Sequence, residues 1–354
     1  MNDTTRPLQV ALIGYGFVGK AFHAPLINAV PGLELSVVAS RDAAKVHADL
    51  PHAQVIADPL EAIRRPEVDL VVIASPNATH APLALAALEA GKHVVVDKPF
   101  TLDLAQARAL IAAAEKHDRL LSVFQNRRWD SDFLGVKQVI EQGLIGKVTH
   151  FESHIDRYRP EVRVRWREQN LPGSGLWFDL GPHMVDQALQ LFGLPHSVQA
   201  NIATLRPNAQ INDWAHVVLN YPTHRVILHG SMLVAGASHA LPCTARKAAW
   251  SKRADGQESQ LLAGVTPGSA EWGKDDDAMS LFIGTEPMRT LPTPDGDQRQ
   301  YYFQVRDALR GAGANPVTAA QALAVMAVLE AATLAAETGV TQTLPLTEAE
   351  IAAW

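Results

Sequence analysis

Three groups of residues in this sequence have the types and spacing to do chemistry. The first is Gly14-Tyr15-Gly16-Phe17-Val18-Gly19, a G-x-G-x-x-G run between an apolar stretch, Leu8–Ile13, and a helical pattern, Phe17–Val30. In that context Gly14 permits a tight turn, Gly16 lets backbone approach a pyrophosphate, and Gly19 lets the helix pack close to the strand. The helix N-terminus, with Phe17 and Val18 in its first turn, offers phosphates N–H donors and the positive end of its dipole. The second group is Asp97-Lys98-Pro99, directly after the apolar run His93–Val96. An ammonium at Lys98 can steady an alkoxide-like oxygen, and Pro99 fixes the backbone behind it. Lys98 can equally hold the cofactor ribose. The third group is Gly175-x-x-x-Asp179-x-x-x-His183. If the helix begins around 177–181, Asp179 and His183 share one face. His183 is the candidate acid/base, because imidazole titrates near neutral pH. Asp179 can orient a substrate hydroxyl or raise the basicity of His183. The plainer reading has Asp179 capping the helix and His183 filling space. Pro182 is compatible only with the first turn of that helix.

The end of the second strand, Leu33–Ala39, selects the cofactor. An acid there would bind the ribose 2′-hydroxyl of NAD. The sequence instead continues Ser40-Arg41, which can donate to and pair with a 2′-phosphate. The first carboxylate, Asp42, is better placed to cap the next helix. NADP is therefore the expected cofactor, with NAD as the alternative. Ser75-Pro76-Asn77-Ala78-Thr79-His80 follows the fourth strand, where it would face the nicotinamide half of the cofactor. Ser75, Asn77, His80 and Asp97 join the expected cofactor contacts. Asn77 also suits a helix N-cap, and His80 is more structural than catalytic in character.

These residues must be positioned by alternating strands and helices. Strands are expected at Leu8–Ile13, Leu33–Ala39, Val55–Ile56, Asp69–Ala74, His93–Val96 and Leu120–Phe124. Helices are expected at Phe17–Val30, Ala43–Leu50, Ala81–Ala90 and Leu104–Lys116. Continuous apolar strands between helices imply a doubly wound parallel sheet, the Rossmann arrangement, over residues 1–125. Residues 126–354 have another rhythm. Phe133–Glu141 and Trp177–Phe192 read as helices. Val148–Ile155, Val198–Leu205, Trp214–Leu219 and Val226–Leu233 read as strands of an open, mostly antiparallel sheet. This second domain is expected to carry the substrate site. The Ala-rich 318–338 reads as a C-terminal helix able to pack back on the first domain. Asn126, Arg127 and Trp129 follow the sixth strand. Arg157, Tyr158, Arg163, Trp166 and Arg167 lie in a charged, aromatic stretch before the catalytic helix. Aromatic faces and planar polar groups suit hydroxylated rings, which makes Asn126, Arg127, Trp129, Tyr158, Arg163 and Trp166 candidate substrate contacts. The arginines leave a carboxylated substrate open.

Composition bounds the rest. With 354 residues, 47% hydrophobic and 19% charged, the chain is an ordinary two-domain globular protein. A net charge of −6 argues against nucleic acid or an anionic membrane as partner. The one cysteine, Cys243, excludes an internal disulfide and points to a reducing, cytoplasmic setting. The N-terminus lacks a signal-peptide core, no apolar run reads as a membrane span, and no cluster has metal-ligand spacing, so no metal is expected.

The glycine loop, Asp97-Lys98-Pro99 and Gly175-x-x-x-Asp179-x-x-x-His183, in that order, resemble the Gfo/Idh/MocA family of oxidoreductases. The family commonly has Glu-Lys-Pro where this chain has Asp97. The Ser-Pro-Asn loop and Phe124-Gln125-Asn126-Arg127-Arg128-Trp129-Asp130 resemble the subgroup around NADP-type scyllo-inositol dehydrogenase. The resemblance implies a nicotinamide-dependent hydride transfer on a sugar-like or polyol-like carbinol. It also implies that Lys98 bridges cofactor and substrate, and that dimers or tetramers build on the second sheet. A dihydrodiol, ketone or aldehyde substrate, or a non-enzymatic nucleotide-sensing regulator, are the competing readings. Residues 240–250 depart from the family: they lack strand alternation and the expected glycines. The stretch reads as a local shift of frame, and Cys243 is given no role.

Overall fold

The computed structural model describes residues 6–236, 239–245, 248–251 and 256–354. The chain forms two compact units, one of Met1–Asn126, Glu258–Trp272 and Asp297–Leu323, the other of Arg127–Gln257, Gly273–Gly296 and Ala324–Trp354. Two late segments thus belong with the first unit, where the sequence reading has a single cut at 125/126.

In the first unit, strands β1 (Leu8–Ile13), β2 (Leu33–Ala39), β3 (Gln54–Ile56), β4 (Leu70–Ile73), β5 (His93–Val96) and β6 (Leu121–Val123) form a parallel sheet in the order β3-β2-β1-β4-β5-β6. This is the doubly wound order. The continuous apolar runs are strands because both faces are covered: every residue of β4 is buried. Between them lie α1 (Ala24–Asn28), α2 (Ala43–Asp49), α3 (Pro59–Ile63), α4 (His80–Glu89) and α5 (Leu104–His117). The first helix opens with a π turn, Gly19–His23, ahead of α1. Pro25 has no N–H to return to Ala21, and the widened turn accommodates its ring. The short α3 escapes a reading by periodicity, since five residues show little more than one turn.

In the second unit, after α6 (Ser131–Glu141), strand β7 (Val148–Asp156) leads to α7 (Gly175–Phe192). Then come β8 (Ser197–Ala203), β9 (Trp214–Asn220), β10 (Arg225–Ser231), β11 (His239–Ala240), β12 (Cys243–Ala245) and β13 (Ala248–Ser251). After α8 (Gly256–Leu262), whose residues from Glu258 onward belong to the first unit, β14 (Met279–Ile283) and β15 (Arg289–Leu291) complete a nine-stranded sheet. Its pairs are antiparallel except β7 with β10, which run parallel. Alternation along β9 and β10 buries Val217, Leu219, Val226 and Leu228 on the face under α7 and leaves His216 and His229 on the other. Residues 240–250 need correction: β12 pairs with β7, burying Cys243 and Ala245 and exposing Thr244. The alternation is present in small residues that a hydrophobic pattern search passes over, so its apparent lack no longer argues for a shifted frame.

Three C-terminal helices follow: α9 (Arg299–Leu309) in the first unit, α10 (Ala319–Thr338), and α11 (Glu348–Ala352) in the second. The first five residues of α10 belong to the first unit and the rest to the second. Among the described residues α10 is the one helix long and apolar enough to cross a membrane by length and composition alone. Its apolar window is 61% buried, as in the core helix of a folded domain. In the second unit it packs on α7, where Trp177 Nε1 donates to Leu329 O at 3.2 Å.

Pro182 lies in the interior of α7, not in its first turn. The helix starts two residues earlier than the periodicity implies, at Gly175, whose φ of +86° suits glycine alone. Asn212 satisfies the buried helix start: its carbonyl accepts from Leu176 N and its Oδ1 from Trp177 N. A Cβ on Gly181 would meet the Trp177 ring at 2.9 Å and Leu329 at 3.0 Å. Gly181→Ala should therefore destabilise the chain by about 1–3 kcal/mol, the usual cost of overpacking. A urea midpoint equal to the parent's would show that α7 and α10 have room to part.

Candidate active site

The glycine loop is built by close contacts. Gly14 turns at φ +103°, and a Cβ there would lie 2.8 Å from Ala74 O. A Cβ on Gly19 would lie 2.1 Å from Gly14 O. Gly16 is different: it is exposed, and nothing described lies within 4 Å of its missing Cβ. Two glycines are thus required by the protein and the middle one leaves open backbone, the division of labour a pyrophosphate needs. Beside it a cleft of about 510 Å³ is lined by Gly14, Gly16, Ser40, Arg41, Lys45 and Ser75, among others. The loops after β1, β2 and β4 therefore meet, as expected at a sheet's carboxyl edge. Phe17 is 64% exposed, with its ring edge-on to Phe22 at 5.4 Å, and Val18 is half-buried. Asp42 caps α2 by accepting from Lys45 N at 3.0 Å. Lys45, which the sequence reading passed over, donates Nζ to Tyr15 O at 3.0 Å and adds a cation to the cleft wall.

The loops after β4 and β5 are tied by His80. It is fully buried, with Nδ1 2.8 Å from Pro99 O and Nε2 3.0 Å from Ser75 O. His80 therefore holds two loops together, with both ring nitrogens engaged on backbone carbonyls. Asn77 is buried at the start of a 3₁₀ turn, Asn77–Thr79, so it is not the cap of α4; Thr79 occupies that position. Ser75 Oγ bonds Thr79 Oγ1 at 2.6 Å. Asp97 is buried 3.6 Å from His23 Nε2, and His23 Nδ1 meets the Tyr302 hydroxyl. Burial alone would raise the Asp97 pKa, but the His23 hydrogen bond and the charges of His23, Lys98 and His80 hold it below the ordinary carboxylate range. Burial, Tyr301 and Asp97 push the Tyr302 phenol well up. Asp97 is thus a buried anchor, and its neighbour Lys98, half-buried, is the group left at the loop surface.

After β6 the expected substrate contacts are largely withdrawn. Asn126 is 2% exposed and donates to Gln298 Oε1 at 3.1 Å. Arg127 is 7% exposed, 3.4 Å from Asp130, and its carbonyl accepts from Gln187. Burial spends both side chains inside the protein; Trp129 remains half-buried.

On α7, Asp179 and His183 share a face as expected. Asp179 lies 3.5 Å from Arg167 Nε and 3.8 Å from an Arg157 amine, while His183 is 4% exposed. Arg167 stacks over the Trp166 ring at 4.3 Å, so Trp166 acts through that arginine. Tyr158 and Arg163 are exposed. Burial and the neighbouring Arg157, Arg163 and Arg165 lower the Arg159 pKa to about 10. What anchors this crowded loop was not visible in sequence. Arg206, buried, pairs with Glu168 at 2.6 Å and Asp213 at 2.9 Å, and donates to Arg159 O at 3.2 Å. The Asp213 carboxylate also accepts from Leu205 N and Arg206 N.

The sequence shows no metal-ligand spacing; in the fold, donor atoms of His154, Asp156 and His229, from β7 and β10, all lie within 4.8 Å of one another.

Residues 8–125 match the family model described as "Oxidoreductase family, NAD-binding Rossmann fold", and residues 137–345 the model described as "Oxidoreductase family, C-terminal alpha/beta domain". The chain is 51% identical over 334 residues to the uncharacterized oxidoreductase YdgJ of Escherichia coli, covering 93% of this chain and 96% of that one. It is 34% identical over 331 residues to scyllo-inositol 2-dehydrogenase (NADP(+)) IolW of Bacillus subtilis, covering 92% of each. The crystal structure of a Klebsiella pneumoniae protein described as an oxidoreductase superposes with a TM-score of 0.92 at 63% identity, covering 98% of each chain.

Replacing Arg206 by Met would remove the guanidinium shared by two buried carboxylates, leaving Glu168 with Arg165 alone and Asp213 with two backbone N–H groups. A loss of about 3–5 kcal/mol is expected, read from urea unfolding. A loss below about 1 kcal/mol would mean that the cluster is solvated.

Proposed function

The chain belongs to the Gfo/Idh/MocA family of oxidoreductases and is an NAD(P)-dependent dehydrogenase or reductase; from that premise we propose that it uses NADP and acts on a carbinol carbon of a sugar, inositol or related polyol. The observation that carries the cofactor choice is the end of β2. Ser40 and Arg41 line the cleft beside the open backbone of Gly16, and the nearest carboxylate, Asp42, is engaged in capping α2. A guanidinium with a hydroxyl fits a ribose 2′-phosphate, and an unengaged acid is what NAD would need. The Bacillus subtilis relative's name carries both NADP(+) and scyllo-inositol, which supports the same reading.

When bound, the nicotinamide supplies or accepts the hydride. The chain's own residues do the rest. Lys98 places a cation at the substrate oxygen and stabilises its alkoxide character. His183 takes or returns the hydroxyl proton. Asp179, steadied by Arg157 and Arg167, orients the hydroxyl. That pair of arginines also favours, within the polyol class, substrates bearing a carboxylate. A homodimer or homotetramer is part of the proposal and is checked by mass in solution.

A panel of polyols, sugar acids, dihydrodiols, ketones and aldehydes, followed by NADPH absorbance, tests the substrate class. Turnover confined to ketones or aldehydes would refute the polyol assignment. Ligand-dependent partner binding with no turnover would favour a nucleotide-sensing regulator. His183→Asn should lower kcat about 10²–10⁴-fold while cofactor affinity holds, measured by NADPH fluorescence. Arg41→Ala should weaken NADP about 10- to 100-fold and leave NAD unchanged, the equivalent of about 1.5–3 kcal/mol for a charge-assisted contact. An intact preference would sink the 2′-phosphate assignment.

A further inference from the structure

The face of the second sheet turned away from α7 carries an unusual row of side chains. β7 presents His150, Glu152, His154 and Asp156 on this face, and β9 and β10 add Trp214, His216 and His229. Register aligns them: His154 pairs with His229, which pairs with His216, while Asp156 sits level with Ser231 and Trp214. None of these residues has a part in the hydride chemistry.

Within the row three groups converge. An Asp156 oxygen lies 3.5 Å from His229 Nε2, and the other lies 3.8 Å from His154 Nδ1. All three donors fall within 4.8 Å. The Asp156 side chain is only 5% exposed, and those of His229 and His154 are 16% and 26% exposed. Tetrahedral zinc, with bonds of about 2.0–2.1 Å, sets its donors about 3.3 Å apart, and each imidazole already lies near that span from one oxygen of the Asp156 carboxylate.

A second observation sets this apart from a chance cluster. His154 has two ring nitrogens, and Nε2 is held by Glu152 Oε2 at 2.5 Å, with the other Glu152 oxygen on His150 at 2.6 Å. A carboxylate on the far nitrogen fixes the ring and leaves Nδ1 directed at Asp156, the carboxylate–histidine arrangement found behind metal ligands. Trp214 stands edge-on to the His229 ring at 5.6 Å and limits its rotation. His229 faces the Asp156 carboxylate through Nε2, so that nitrogen is the one positioned to act as a ligand.

We propose that His154, Asp156 and His229 form a binding site for a divalent first-row transition cation, zinc foremost, with Glu152 as the positioning residue. Two imidazoles and one carboxylate suit zinc, cobalt or nickel; calcium and magnesium prefer all-oxygen sets. Three protein ligands leave a position for water or another donor. The ion would tie the parallel pair β7 and β10 from the face opposite α7, a structural role separate from the NADP reaction.

The test uses the full chain, free of any affinity tag and stripped with EDTA. Zinc is titrated by calorimetry and cobalt by its visible absorption. One saturable site per chain is expected, with a rise in melting temperature on adding zinc. His229→Ala and Asp156→Asn should abolish saturation, and Glu152→Gln should weaken it about 10- to 100-fold. His216→Ala, next in the row, should bind as the parent does. Glu152 is 28% exposed at its side chain, so its variant keeps the test open should a ligand variant fail to fold. The proposal is overturned if the parent shows no saturable site, if His229→Ala and Asp156→Asn bind as the parent does, or if His216→Ala abolishes binding equally. The last result would assign the affinity to scattered surface imidazoles.

Discussion

The carbonyl of Gly14 occupies the space a side chain at residue 19 would need, with 2.1 Å between the oxygen and that Cβ position. Everything at the carboxyl edge of the first sheet depends on this contact. It draws the first helix against β1, and Gly14 in turn lies close under Ala74 at the end of β4. Since β1 is flanked by β2 on one side and β4 on the other, the connections leaving its neighbours diverge to opposite faces of the sheet. The cleft is the space that this divergence opens. Gly16 borders it with bare backbone because no part of the chain needs that space. The glycines thus differ in cause: two are demanded by the fold and one by what the fold must leave accessible.

A second constraint operates behind Lys98. A carboxylate buried at Asp97 carries a large desolvation cost, offset here by His23 and its link to Tyr302. The three groups come from the loop after β5, the π turn and the late helix α9. That explains why Asp297–Leu323 belongs with the first unit: it delivers Tyr302 and also Tyr301, whose hydroxyl donates to Ser122 Oγ on β6 at 2.9 Å.

The fold was legible wherever hydrophobic periodicity ran for long enough. The strands from Leu8 to Val123 and helices α4, α5 and α7 emerge within a residue or two of their observed ends, since each buries a continuous face. Three kinds of feature were not. Short elements such as α3 and β12 offer too few residues for a period. Contacts between distant segments, such as Arg206 with Glu168, leave no local pattern, because each member alone looks like a surface charge. The grouping of His154, Asp156 and His229 arises from register between strands some seventy residues apart, which only the parallel pairing of β7 and β10 brings about.

The same distinction sorts the candidate site residues. Sequence logic selects polar groups in loops at strand ends, and it selected His80, Asn126 and Arg127 alongside Arg41, Lys98 and Asp179. A buried polar group needs partners within the protein, and the first three have them in carbonyls, an amide and a carboxylate. Their value lies in fixing the loops. Arg41 is exposed, and Lys98 and Asp179 are half-buried, which leaves room for a ligand on one side. Asp179 combines the two conditions: its paired arginines hold the carboxylate in place, yet at 3.5 and 3.8 Å they are looser than tight ion pairs. A carboxylate held in this way can exchange part of its contact with a guanidinium for a substrate hydroxyl without being left uncompensated. Tightly bonded polar groups of the same types, such as Arg128 with Asp186 at 2.6 Å, have no such freedom and belong to the scaffold.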